Sequence, residues 1–185
     1  MTHAIQCKPI TRQIRSKFAE AFPLTEDLWL EWIEDEKKLC ETEEDHEKLV
    51  ELFEKGAKDY LAPKLWLEYI QYAIRWLGFE DGIKRFRSLC ERAIQKVGLD
   101  PENGGAIWEV YRETELMIES EEKNEKVSNL FKRQCSLPIY QLEETYKEFK
   151  KFNQVNLFCS VNLFRILFLY KVPKPFQSKT AISAI

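Results

Sequence analysis

Hydrophobic residues recur along most of the chain at the spacing of one helix face. Between Glu26 and Leu39 the apolar side chains follow the i, i+3, i+4 rule, and charged side chains fill the other positions. A second stripe follows Thr42, which with Asp45 forms the Ser/Thr-x-x-acid pattern of a helix start. The pattern predicts helices joined by short loops. The breaks between them are Pro63, Gly78, Gly98–Pro101, Asn103–Gly105 and Pro138.

One short aromatic motif is repeated along the chain. Leu28–Trp32 recurs as Leu65–Tyr69 and more loosely as Ile107–Tyr111, so that the leading Trp returns after 37 and then 42 residues. Thr145–Phe149 is a degenerate fourth copy. A period of this length indicates an array of short structural repeats.

A second motif alternates with the first and falls on the next predicted helix. Its copies are Leu52–Ala57, Leu89–Ala93 and Leu130–Gln134. A single pair of such helices cannot bury its apolar face alone, so neighbouring pairs must stack. The sequence therefore predicts an all-α, right-handed α-solenoid of antiparallel helix pairs.

The repeats divide the chain into six segments. We expect residues 1–23 to be the second helix of a preceding repeat and residues 139–152 to be the first helix of an incomplete one. Three complete repeats lie between them, at 24–62, 63–101 and 102–138, and a divergent apolar and basic tail follows at 153–185.

The motif residues have a packing role in this scheme, because large aromatic side chains fill the space between helices and small ones let the axes approach. An alternative is that the aromatic pairs are stacking platforms for single-stranded RNA, but their place on the apolar stripe favours packing. The predicted packing residues are Trp29, Trp32, Phe53, Ala57, Trp66, Tyr69, Ala93, Trp108, Tyr111 and Phe131.

Charge gives only a weak indication of what the chain binds. The 185 residues carry a formal charge of -3, which argues against a module that binds nucleic acid mainly by neutralising phosphates. One predicted helix nevertheless carries four basic residues that could contact phosphate or an acidic partner, although a solvated helix face is the simpler interpretation. These residues are Lys84, Arg85, Arg87 and Arg92.

No arrangement typical of catalysis or cofactor binding is visible. The five cysteines are widely spaced and lack a CxxC pair, so they indicate neither a disulfide framework nor a zinc site and favour an intracellular protein. His3 and His46 are the only histidines, and no triad can be formed from them. We therefore expect no enzyme activity, no cofactor or metal, and no small-molecule substrate.

The tail after residue 152 has a different composition. Residues 153–185 contain no acidic residue, and an apolar run spans Val155–Val172. Three interpretations are open: a membrane anchor, an apolar cover for the last repeat helix, or the product of an alternative exon or incomplete gene model, which we favour. Arg165 within the run makes membrane insertion costly, so a membrane location is not expected.

The paired helices resemble the half-a-TPR (HAT) repeats of RNA-processing proteins. The similarity lies in Trp-x-x-aromatic on the first helix and Phe-Glu-x-x-Ala on the second, and it covers residues 12–152. Phe22–Trp32, Asp59–Tyr72 and Ser136–Tyr140 are similar to the amino-terminal HAT region of spliceosome-recycling factors. The resemblance implies a nuclear, non-catalytic scaffold in mRNA splicing and snRNP assembly, with protein partners in spliceosomal RNP or deubiquitinase complexes. RNA contact would be indirect, the alternative being direct binding through the four basic residues.

The third repeat departs from the motif at two positions. Val110 stands where the first two repeats have Glu31 and Glu68, and Gln134 stands where other second helices have small residues. These substitutions predict looser packing in the third repeat.

Overall fold

The structure is a computed structural model that describes residues 3–59 and 61–169, with side-chain surroundings for 11–59 and 61–156. The described residues form helices and no strands, so the prediction of an all-α fold is confirmed. The helices are α1 His3–Ala21, α2 Glu26–Lys37, α3 Glu43–Asp59, α4 Pro63–Ala73, a 3₁₀ helix Ile74–Gly78, α5 Gly82–Val97, α6 Gly104–Met117, α7 Lys123–Cys135 and α8 Leu142–Leu169.

The helices pack in the order in which they occur along the chain. From α2 onward each helix contacts the next, and α4 also contacts both α2 and α6. The first helices of successive pairs therefore form a continuous row, as in a stacked α-solenoid. The right-handed sense of the array stays a prediction.

A single hydrophobic core runs through the array. It extends from Leu24, before α2, to Leu130 on α7, and it includes the three Trp residues that begin the aromatic motif. Because helices α2 to α7 share this core, much of their apolar stripe is covered by the stacking that the repeat pattern predicts.

Two threonines that precede helices behave differently. Thr42 and Asp45 form a reciprocal capping box, in which the Asp45 amide donates to the Thr42 hydroxyl at 3.2 Å and the Thr42 amide donates to the Asp45 carboxylate at 3.1 Å. Thr25 is the N-cap of α2 but makes no side-chain capping bond.

The first turn of α4 is capped by a residue of the preceding repeat, because the Glu26 carboxylate accepts hydrogen bonds from the amides of Lys64 and Leu65 at 2.7 and 3.2 Å.

The turn into α5 has a constrained backbone. Asp81 has a φ of 58°, in the left-handed region, and it directly precedes Gly82, the first residue of α5. A Cβ atom at Gly82 would collide with the carbonyl oxygen of Trp76. This turn therefore requires glycine at position 82 for close approach.

The last helix does not end where the composition changes. α8 continues from Leu142 through residue 152 to Leu169, because no proline or glycine interrupts the chain before Pro173. Within residues 3–59 and 61–169, no helix is long and apolar enough to cross a membrane. The part of the predicted tail at 170–185 lies outside the described residues, and its proposed origins stay predictions.

Candidate interaction surface

The repeated aromatic residues lie inside the array. Trp29, Trp66 and Trp108 are at most 2% exposed, and Phe53 stacks on Tyr69 with ring centroids 4.8 Å apart. The other aromatic residues predicted to pack are also buried, and they are Trp32, Tyr111 and Phe131. Stacking platforms for RNA bases need exposed ring faces, which these side chains lack.

A close contact between helices falls at Gly56, one residue before Ala57. A Cβ atom at Gly56 would lie 2.8 Å from Cδ1 of Leu65 and 3.1 Å from the Trp29 ring, whereas Ala57 is only partly buried. Gly56 occupies the position in its motif that Ala93 occupies in the next, and Ala93 is fully buried. The close contact therefore lies at Gly56, next to the predicted packing residue Ala57.

A carboxylate, a tyrosine and an arginine form a cluster between the first two repeats. Arg92 on α5 donates two hydrogen bonds, of 2.8 and 2.7 Å, to Glu54 on α3, and the Tyr69 hydroxyl donates to the same carboxylate at 2.8 Å. The Arg92 guanidinium also lies 5.5 Å from the centroid of the Trp66 ring. The hydrogen bonds from Arg92 hold the pKa of Glu54 below its ordinary value.

The next repeat boundary carries the same cluster. Arg133 on α7 donates two hydrogen bonds of 2.8 Å to Glu91 on α5, and its guanidinium lies 5.2 Å from the centroid of the Trp108 ring. Arg133, followed by a smaller contribution from Tyr111, lowers the pKa of Glu91. These contacts were not predicted from the sequence, although an acidic residue followed by a basic one recurs at the same motif position, as Glu54–Lys55 and as Glu91–Arg92.

The interior of the third repeat contains polar side chains, and its looser packing stays a prediction. Gln134 is 1% exposed and accepts a hydrogen bond from Arg112, whose guanidinium lies 4.3 Å from the centroid of the Phe131 ring. Arg112 also donates to Glu148 on α8 at 3.4 Å. Burial lowers the pKa of Arg112. The long side chain of Gln134 is therefore accommodated because it pairs with a buried arginine.

The fourth copy of the aromatic motif is not buried like the others. Tyr146, at the Trp position, is 49% exposed. Phe149 and Phe152 instead pack on Phe131, with centroid separations of 5.3 and 5.6 Å. In the other repeats the following second helix covers the Trp, and within the described part of the chain no helix follows α8.

The four basic residues on α5 do not form one free patch. Arg87 binds Glu115 on α6 through hydrogen bonds of 2.6 and 2.8 Å, and Arg92 is bound to Glu54. Lys84 and Arg85 are exposed, and neither forms an ion pair with a described residue. The structure thus separates two arginines that hold helices together from two cations that face solvent.

These two cations border a groove between α3, the 3₁₀ helix and α5. The groove has a volume of about 540 Å³, and Lys84, Arg85 and Ser88 line one wall of it. Arg85 lies over the Trp76 ring, with the guanidinium carbon 4.6 Å from the centroid. We call this feature the α3–α5 groove, and its remaining lining is Val50, Glu54, Tyr69, Asp81, Leu89 and Arg92.

Comparisons with known proteins agree with this architecture. A family model described as the PRP39 N-terminal HAT repeat matches residues 5–151. Proteins of Homo sapiens and Mus musculus named spliceosome associated factor 3, U4/U6 recycling protein, are 44% and 45% identical over 143 residues, which is 77% of this chain. The Danio rerio protein of the same name is 43% identical over 156 residues, or 75% of this chain.

This chain spans only about 15% of the length of the human and mouse relatives and 16% of the Danio rerio protein. The resemblance to the HAT region of a spliceosome-recycling factor is confirmed over residues that include all three complete copies of the aromatic motif. With a match to more than half of its length and a repeated helix-pair fold, the chain belongs to the HAT-repeat family represented by the PRP39 N-terminal HAT repeat.

Proposed function

We propose that this chain is a non-catalytic scaffold that holds protein partners in RNA processing. The family relationship supports a role in RNA processing, since the relatives carry the name of a U4/U6 recycling protein of the spliceosome. By that similarity, the partners are proteins of spliceosomal RNP or deubiquitinase complexes, and the site of action is the nucleus. The surface that contacts these partners belongs to the three complete repeats, which we propose at 24–62, 63–101 and 102–138.

The observation that carries the proposal is the use of the motif residues for packing. The aromatic side chains are buried and the arginines of α5 and α7 tie neighbouring helices, so the motif builds a framework and leaves other surface residues to contact partners. Stacked helix pairs present such residues along an extended face.

Affinity capture tests this proposal. The full 185-residue chain is immobilised, incubated with nuclear extract with and without RNase, and the bound proteins are identified by mass spectrometry. Spliceosomal proteins or a deubiquitinase that remain bound after RNase treatment support a protein scaffold. Recovery of neither class, with a chain shown by circular dichroism to be folded, overturns it.

Direct RNA binding through the basic face of the second repeat is the second candidate. The exposed Lys84 and Arg85 favour it, whereas the carboxylate partners of Arg87 and Arg92 reduce the charge available to phosphates. The salt dependence of binding to a single-stranded RNA distinguishes the two candidates. RNA affinity that falls steeply with salt, together with loss of every captured protein on RNase treatment, would favour direct RNA binding.

A further inference from the structure

We propose that the α3–α5 groove binds an acidic protein segment, with Lys84 and Arg85 contacting its carboxylates. The inference rests on the proposed scaffold function and specifies the chemistry of one partner. The groove is open and about 540 Å³ in volume, which suits one or two side chains of an extended or helical segment better than a whole domain.

The charge of the groove is unbalanced at one wall. The positive charge of Arg92 is matched by Glu54, to which it donates two hydrogen bonds. Lys84 and Arg85 lack a carboxylate within ion-pair distance among the residues that the structure describes. Their positive charge is therefore available to a partner.

The two cations are arranged around one exposed hydroxyl group. Ser88 lies four residues after Lys84 and three after Arg85 on α5, so that the three side chains share one helix face. The Ser88 hydroxyl adds a hydrogen-bond donor between two cations. Arg85 also lies over the Trp76 ring, which already restricts its side-chain conformations. Less conformational entropy is therefore lost when Arg85 binds a ligand.

The groove suits carboxylates separated by apolar side chains better than a nucleic acid backbone. Asp81 also lines it and would repel a continuous row of phosphates, whereas a peptide can place an apolar side chain beside this carboxylate. Trp76 is 9% exposed with Arg85 over its face, so no aromatic surface is free for a base. Val50 is only partly buried and supplies an apolar part of the lining that a Leu or Phe of a peptide would contact.

Fluorescence anisotropy with the full chain tests this assignment. The probe is a short fluorescein-labelled peptide in which Asp and Glu alternate with Leu, and its control replaces every acid by the corresponding amide. We expect Lys84→Glu to weaken binding of the acidic peptide by roughly tenfold or more, because it reverses a charge that the ligand contacts. Lys151→Glu is the matched control, since Lys151 is an exposed lysine on α8 that is remote from the groove lining.

Ser88→Glu separates loss of binding from loss of folding. The new carboxylate would lie three residues after Arg85 and four after Lys84, a spacing at which opposite charges stabilise a helix. It would also pair with the two cations in place of the ligand's carboxylate. We expect the variant to melt no lower than the unchanged chain and to bind the acidic peptide roughly tenfold more weakly. Ser88→Ala should weaken binding less than Ser88→Glu does, because it removes one hydrogen-bond donor and leaves both cations available to the ligand.

The inference is overturned by equal binding of the acidic and amide peptides, by equal weakening from Lys84→Glu and Lys151→Glu, or by preferential binding of oligouridylate RNA that Lys84→Glu abolishes. The last would assign the groove to RNA. If the peptide fails to bind while RNase-resistant capture of spliceosomal proteins persists, the groove assignment fails and the scaffold function stands. If capture also fails, both fail.

Discussion

Arg87 on α5 and Glu115 on α6 are joined by two hydrogen bonds of 2.6 and 2.8 Å across the boundary between the second and third repeats. The Glu115 side chain is only 1% exposed. A carboxylate this far from water is stable in its charged form only when a partner compensates for the lost hydration. Arg87 therefore joins two helices of the fold, and its contact with RNA or an acidic partner stays a prediction.

Removal of that partner should destabilise the array. We expect Arg87→Ala to lower the free energy of unfolding by about 3–5 kcal/mol, because it leaves Glu115 buried and unpaired. Urea unfolding followed by circular dichroism measures the change. Lys84→Ala, which removes an exposed cation from the same helix, should stay within about 0.5 kcal/mol of the unchanged chain. Similar losses for the two variants would show that Glu115 does not depend on Arg87.

Acidification should weaken the boundaries between repeats. Arg92 and Arg133 hold the pKa values of Glu54 and Glu91 below the ordinary value of 4.5. Each pair therefore stabilises the folded state fully above that pH, and the contribution is lost as the pH falls through the lower folded-state values.

We expect the urea midpoint to decrease between about pH 5 and about pH 2, and to decrease less when Glu54→Gln and Glu91→Gln are combined. The comparison between the two proteins isolates these carboxylates from the others in the chain. An identical pH dependence would contradict the role given to the two clusters.

Thr42 and Thr25 provide a matched test of helix capping. Only Thr42 makes a side-chain capping bond, so we expect Thr42→Ala to cost about 0.5–2 kcal/mol of stability. Thr25→Ala should cost less than about 0.5 kcal/mol, as a surface substitution that breaks no capping bond. Thermal and urea unfolding of the two variants measure both changes. A larger loss for Thr25→Ala would refute this assignment of the caps.

Gly82 and Gly78 are four residues apart and should respond differently to substitution. A Cβ atom at Gly82 would collide with the Trp76 carbonyl oxygen, whereas a Cβ atom at Gly78 would meet no atom within 4 Å. We expect Gly82→Ala to destabilise the chain by about 1–3 kcal/mol or more. Gly78→Ala should be tolerated, because nothing obstructs the added methyl group. Equal effects in urea unfolding would contradict the close approach at Gly82.

The helices and much of the core could be predicted from the sequence because both depend on local periodicity. The repeated Trp residues lie on an apolar stripe, and a residue on such a stripe is buried whenever a neighbouring pair stacks on it. The capping pattern at Thr42 and Asp45 was also readable, since both partners lie within one turn.

The partners of the charged residues could not be predicted in the same way. Arg87 and Arg92 are five residues apart on one helix, yet they bind carboxylates on α6 and α3. Which carboxylate each one reaches depends on how neighbouring pairs pack, and helix periodicity does not specify this. Tyr146 shows the same limit, because the burial of its motif position depends on the next helix and not on its own sequence.

The two inter-repeat arginine clusters have the same polarity along the chain. In each, the earlier second helix supplies the acceptor and the later one supplies the donor, as Glu54 does for Arg92 and Glu91 for Arg133. At the position of these acids α7 carries Lys132, which would repel an arginine placed there by another unit of the same kind. The units are thus not interchangeable, because moving α7 ahead of α5 would place Lys132 against Arg92.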